Sequence, residues 1–477
     1  DVCSSDLMRT TPAGRVKAAQ GLAEKLTEKF SKRLEGNEIT LSDETIKRIN
    51  DAKTEKEILD ANEAARVEIW NQIPASWGEK FNAWRYIAML ANPKTHVRNI
   101  IGNALFAVPR EVKNIIGAGV ESLAEKAKLI EKGDRTKALI NPFSESDKKL
   151  LDFGGKNFDV NEPILRGQSR WNDSARPEDS VVFKNPILEK LRKMNGGALD
   201  KADIKFMKPA YRTAMARYMK ANGLTAADMT GEVLKKAEAV ASEEALKATY
   251  RDANAFASWL TKTKNVAPDA SRPRKLGAVV VESMVPFAKT PTNILRRGLE
   301  YSPVGLMQGM TKIGRALARK DGQMLVQAID RMAGGLTGSG ILGLGYMLNK
   351  NGLVTVEVSN DSEGNFRKGL GEQSYALKFG DSSFTLDWAA PMSMPFFVGA
   401  NISEQTKNHD LSIKDVYNSL GDIMNPVAEM SMLQGLTNTM GTMAGGQSGG
   451  AKIESALIGI GTNYASQAVP TISGQLA

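Results

Sequence analysis

A mainly α-helical fold is predicted: two helical units with a small antiparallel β-hairpin insertion and glycine-rich C-terminal helices. Three observations predict it. Apolar residues recur at spacings of three and four, proline and glycine stops divide those stretches, and strand-like alternation is confined to one short region near residues 354–388. The 477 residues are 42% hydrophobic and 25% charged, which excludes a wholly disordered or collagen-like chain. Two histidines and one cysteine exclude a disulfide framework, a Cys/His zinc cage, and haem or iron–sulfur ligation. No cofactor is expected.

The opening Asp1-Val2-Cys3-Ser4-Ser5-Asp6-Leu7 reads as translated sequencing-adapter sequence and is set aside from the fold. Residues 8–156 form the expected N-terminal helical region. Within it, Val16, Ala19, Leu22, Ala23, Leu26 and Phe30 define one apolar helix face over 16–34. Thr54-Glu55-Lys56-Glu57 reads as a capping box opening a second helix. A short helix over 144–153 is expected to close at Gly154-Gly155. Residues 157–185, rich in Pro, Gly, Ser, Asp and Arg, read as a linker or long surface loop.

Helical periodicity resumes over 186–267, where Leu246, Tyr250, Ala253, Ala257 and Leu260 form a helical stripe. The break at 268–273 precedes a glycine-rich region over 276–477. There, 374–377 and 383–386 flank a turn at Gly380-Asp381, and 354–358 supplies upstream alternation. Two or three antiparallel strands follow, with a further turn at Gly364.

Few residues invite chemistry. No acidic residue lies between Lys80 and Arg110, so His96 lacks a nearby sequence partner for general-base work and reads as a structural histidine near a helix start. His409 sits in a polar turn. The run Gly334-Gly335-Leu336-Thr337-Gly338-Ser339-Gly340 lacks the Gly-Lys-Ser/Thr ending of a phosphate loop and follows a helical stretch over 317–332. Close helix packing is the better reading, with Gly334/Gly338 and Ser339/Gly343 as small residues four apart. Residues 332–349 are uncharged and would span roughly 27 Å as a helix, barely a bilayer core. Six glycines among them favour a buried helix in water, while a membrane-active segment stays open as an alternative.

The formal charge of +9 is uneven: residues 262–297 carry eight Lys/Arg against two acids. Arg272, Arg274, Lys275, Arg296 and Arg297 are the candidate contacts to nucleic-acid phosphate or anionic lipid. No aromatic residues interleave with them, so a base-stacking platform is not expected. No catalytic constellation and no metal site emerges.

Four motifs carry a resemblance. They are Leu90-Ala91-Asn92-Pro93-Lys94-Thr95-His96-Val97-Arg98-Asn99-Ile100-Ile101-Gly102-Asn103, Pro286-Phe287-Ala288-Lys289-Thr290-Pro291-Thr292-Asn293-Ile294, Phe384-Thr385-Leu386-Asp387-Trp388-Ala389-Ala390-Pro391 and Ser466-Gln467-Ala468-Val469-Pro470-Thr471. In this order they resemble the helical, non-catalytic portions of large polyvalent proteins of tailed phages and prophages. The residues themselves predict chain reversals. Asn92 or Thr95 caps a helix beginning near Val97, and Thr292 or Asn293 caps one that stops at Ser302-Pro303. Trp388 is expected to pack beside the strand pair.

The resemblance implies a non-enzymatic structural or internal virion module of a larger polyprotein, with other virion proteins or modules as partners. Its implied location is the virion interior, then the host envelope or cytoplasm. A membrane-active segment lining a conduit and a basic DNA-binding module are the alternatives. Glycine-rich helices suit a chain that must unfold through a narrow conduit, which predicts low stability after Leu276.

Overall fold

The computed structural model describes residues 11–407, apart from 91–92, 132, 161–164, 166–175, 265–270, 272–273, 275–277, 279–288, 357–361, 370, 381 and 387–392. The described chain is mainly helical with one two-stranded antiparallel sheet, as its periodicity predicts. Residues 1–7, His409, Trp388 and the motif at 466–471 lie outside the described residues.

Thr11 caps α1 (Pro12–Lys29), whose first residue is a proline that needs no partner for a missing N–H. The expected helix over 16–34 breaks at Phe30 and resumes as the single turn α2 (Ser31–Leu34). Helices α3 (Asp43–Asp51) and α4 (Glu55–Gln72) follow, and the Thr54–Glu57 capping box is present. Phe30, Ile69, Trp70 and Ile73 form a small core here, with Phe30 edge-on to Trp70 at 5.7 Å.

Next come α5 (Trp77–Leu90), the long α6 (Pro93–Lys126) and α7 (Glu145–Lys156). Helix α6 starts at Pro93, earlier than the expected Val97. Gly154 and Gly155 do not end α7. The helix runs through both, because a Cβ at Gly154 would sit 2.7 Å from the Arg212 carbonyl oxygen. These glycines permit close approach rather than a stop.

Within the expected linker, the described segment 176–185 is irregular in conformation but firmly held. Arg176 donates to the carbonyls of Trp70 (2.8 Å) and Ile73 (2.9 Å), the last of which caps α4. Val182 and Phe183 pack against Ala83 and Ile87 of α5.

Helices α8 (Pro186–Ala221) and α9 (Gly231–Lys247) enclose an apolar cluster that includes Met207, Tyr211, Met215, Met219, Ala237, Ala241 and Ala245. The alanine face of α9 lets it lie close to the aromatic and methionine face of α8. The expected stripe through Leu246 and Leu260 is not one helix. It breaks at Tyr250, whose φ of 58° is left-handed, and restarts as α10 (Ala255–Lys264) with Asn254 capping Phe256 and Ala257.

Helix α11 (Lys289–Glu300) turns at Ser302-Pro303 into α12 (Pro303–Arg319), as the proline stop predicts. Lys320 adopts φ 52° and Asp321 caps Met324, so the expected 317–332 helix is two helices, α12 and α13 (Gly322–Lys350). After α14 (Ser362–Gly369), which carries Gly364 as a helical residue and not a turn, β1 (Ala376–Phe379) pairs with β2 (Ser382–Thr385). Gly380 takes φ 58° at their turn, and Val354 adds one bridge to Leu377 in place of a full third strand.

The C-terminal helices pack backbone to backbone. In α15 (Ser393–Gln405), a Cβ on Gly399 would overlap the Leu342 carbonyl, and one on Gly345 would overlap that of Phe396. Across α12 and α13, Gly309 faces Met332, Gly335 faces Leu306 and Gly338 faces Tyr301. Small-residue packing is therefore real, although Gly343 faces open space and Gly335 and Gly345 carry what its sequence spacing suggested. No helix of the described residues is long and apolar enough to cross a membrane.

Candidate functional site

Helices α6, α8, α9, α11, α12 and α13 surround a polar cavity of about 300 Å³. Nine Lys/Arg and five Asp/Glu line it, together with Tyr301, Asn114, Thr136 and Gln327. Pro109 and Pro209, inside α6 and α8, each remove one N–H from the helical ladder directly before the lining residues Arg110 and Ala210.

Asp330 of α13 is the centre of one ion cluster. Its carboxylate meets Lys113 Nζ at 2.8 Å, Lys137 Nζ at 2.5 Å and Lys247 Nζ at 3.8 Å. Lys247 in turn reaches Glu243 (2.8 Å) and Glu244 (3.0 Å). Burial pushes the Asp330 carboxyl up, but Lys113, Lys137 and Lys247 overcome it and hold the group well below the carboxylate range. Burial likewise opposes ionisation of Glu244, and Lys247, Lys113 and Lys137 together outweigh it and hold its carboxyl below the usual range. The Lys247 ammonium is held well above its usual range, because Glu244 and Asp330 outweigh the burial that favours its neutral form. Lys137 reaches Asp330 from an irregular segment that Glu121 pins, accepting hydrogen bonds from the backbone N–H of Thr136 (2.8 Å) and of Lys137 (2.9 Å).

A second cluster lies beside the first. Arg297, 4% exposed, donates to Asp252 at 2.5 Å and to Glu300. Arg296 adds Asp252 (3.2 Å) and Glu300 (2.9 Å). Asp252 sits on the turn that breaks the 246–260 stripe, and Asn293 holds that turn by donating to the carbonyls of Tyr250 (2.9 Å) and Asp252 (2.8 Å). Its neighbour Arg251 pairs with Asp200 (2.9 Å) and Asp203 (2.6 Å), and Asp203 also accepts from Asn99 (2.9 Å). Phe106 stacks on Tyr250 with centroids 5.1 Å apart and meets Tyr301 edge-on at 5.6 Å. Burial raises the hydroxyl pKa of both tyrosines.

The sequence-predicted basic contacts are not one surface. Arg297 does not face outward: its buried guanidinium pairs through its two terminal nitrogens with Glu300 and Asp252, so it is not presented to an external phosphate. Arg296 is partly exposed but committed to the same two carboxylates. Arg274 is exposed, while Arg272 and Lys275 lie outside the described residues. Thr292 and Asn293 are interior to α11, which begins at Lys289, so neither is its N-cap. His96 lies in the first turns of α6, partly buried.

Lys113, Lys137, Lys312, Asp330 and Arg331 were not singled out by sequence reasoning, since they converge from positions more than 200 residues apart. Their one local signal is charge on an otherwise apolar face, as in Ile329-Asp330-Arg331-Met332. None of the lining residues is Ser, Cys or His. Among the described residues no group of three or more His, Cys, Asp or Glu could hold a metal ion. No protein-family model, curated protein or solved structure matches the chain.

Proposed function

We propose that this chain is a non-enzymatic helical module of a large phage polyprotein, carried in the virion and delivered with the genome. The observation that supports the reading is how the motif residues are used. Asn99 and Asn103 of the first motif hydrogen-bond Asp203, and Asn293 of the second binds the adjoining turn at Tyr250 and Asp252. Both motifs thus tie distant helices to one another through buried amides. Such residues shape a scaffold, and their side chains are occupied in doing so.

One further feature suits the role. Helix α6 exposes Val97, Ile100, Leu105, Val108, Val112 and Ile115 in a row, an apolar surface fit for neighbouring virion modules.

The test is mass spectrometry of nuclease-treated, gradient-purified particles from the source lysate. Peptides from α6 and α13 are expected in full particles and depleted from ghosts after DNA ejection. Peptides present in the cell lysate but absent from particles would rule the proposal out.

A further inference from the structure

The polar cavity holds more positive charge than its carboxylates neutralise. The five lining acids are engaged: Asp330 by three lysines, Glu243 and Glu244 by Lys247, Glu300 by Arg296 and Arg297, and Glu111 by Arg217. Three lining cations, Arg110, Lys312 and Arg331, have no carboxylate within ion-pair distance among the described residues. Arg110 is 9% exposed, and the Nε of Arg331 is buried with no acceptor. Tyr301 also lines this space; the residue is 2% exposed, and its buried hydroxyl has no hydrogen-bond partner.

An unneutralised buried guanidinium such as Arg110 and an orphaned buried hydroxyl each cost free energy unless something accepts from them, and the half-buried Lys312 and Arg331 add unpaired charge beside them. Lys312 registers this directly. Burial lowers its pKa, and Arg331, Arg296 and Arg315 lower it further against the single opposing carboxylate of Glu300. Water can solvate these groups but cannot cancel their charge. A dianion with several acceptor oxygens does both.

We propose that this cavity binds a phosphate-type dianion through Arg110, Lys312 and Arg331, with the Tyr301 hydroxyl donating a further hydrogen bond. The volume of about 300 Å³ lies at the lower end of small-molecule pockets, roughly 300–1,000 Å³. It admits a free phosphate with bound water or a small phosphomonoester. Arginine and lysine from different helices would then be drawn onto one ligand, tying α6, α12 and α13 together through it.

The experiment is isothermal titration of the full chain with inorganic phosphate, and separately with a nucleoside monophosphate, each against potassium chloride at matched ionic strength. Saturable binding of about one anion per chain is expected for at least one of them. The tighter of the two identifies the free ion or the ester as the source. Lys312→Met and Tyr301→Phe, the latter removing a single oxygen, should each weaken binding about tenfold or more. Lys148→Met, on a surface lysine paired with Glu145, should leave it unchanged. No saturable heat with either probe, or binding that neither cavity substitution alters, would overturn the proposal.

Discussion

Asp330→Asn removes one charge from the centre of the polar junction while preserving side-chain volume. In the native chain the Asp330 carboxylate is 22% exposed, and Lys113 and Lys137, each 7% exposed, approach it to 2.8 and 2.5 Å. At an effective dielectric of about 20, a unit-charge pair near 3 Å attracts by roughly 5–6 kcal/mol. Desolvation of the three groups offsets much of that. Removing the carboxylate leaves the lysines buried with the penalty and without the attraction, and breaking a buried pair in this way costs about 3–5 kcal/mol. Asp330→Asn should therefore destabilise the chain by about 3–5 kcal/mol in urea melts followed by far-ultraviolet circular dichroism. Adding Lys137→Met to that variant removes one stranded charge and should recover at least about 1 kcal/mol. A loss under about 1 kcal/mol for Asp330→Asn, or no recovery in the double variant, would refute the view that this ion cluster joins the helices.

Further outcomes follow from the same structure. Gly399→Ala and Gly345→Ala place a methyl group on opposing main chain and should each cost about 1–3 kcal/mol or more, whereas Gly343→Ala, facing open space in the same helix, should stabilise by about 0.5–1 kcal/mol in the same melts. Asn293→Ala strands two buried carbonyls and should cost about 2–4 kcal/mol, with faster hydrogen exchange over 249–254. Asp330, Glu244 and Glu300 have lowered carboxyl pKa values in the fold, so their stabilisation is complete above the unfolded value of about 4 and is lost as pH falls through the lowered values. The melting temperature should be steady from about pH 7 to about pH 5 and fall steeply below about pH 4, with a shallower acid limb in Asp330→Asn.

Local chemistry was legible in the sequence and distant convergence was not. The Thr54–Glu57 capping box, the Ser302-Pro303 stop and the hairpin around Gly380 depend on residues within a few positions of each other; the first two form where predicted, and the hairpin forms with its first strand shifted two residues on, to Ala376–Phe379. Gly154-Gly155 misled because a glycine pair reads equally as a helix end and as a contact surface, and only Arg212 of α8 decides between them. The 246–260 stripe misled because helical spacing survives a break. Tyr250 turns left-handed there so that Arg251 and Asp252 can reach partners on α8 and α11, which no local periodicity encodes. Asn293 has the composition of a cap, yet its amide is drawn into the same turn. Arg297 reads in the sequence as an outward contact to phosphate, whereas it pairs inward with Asp252 and Glu300, which lie on both sides of the 262–297 window over which the charge balance is counted. The cavity itself was invisible for the same reason, with its cations contributed by helices spread from Arg110 to Arg331.

The central claim is that this chain travels from particle to cell with the genome. A short complementing reporter fragment fused to the full chain, with the larger reporter fragment resident in the recipient cytoplasm, measures that transfer directly. With host protein synthesis blocked, signal is expected as soon as particles inject and in proportion to particles added. Genome entry without any signal, from particles shown to have been assembled in the presence of the fusion, would contradict it.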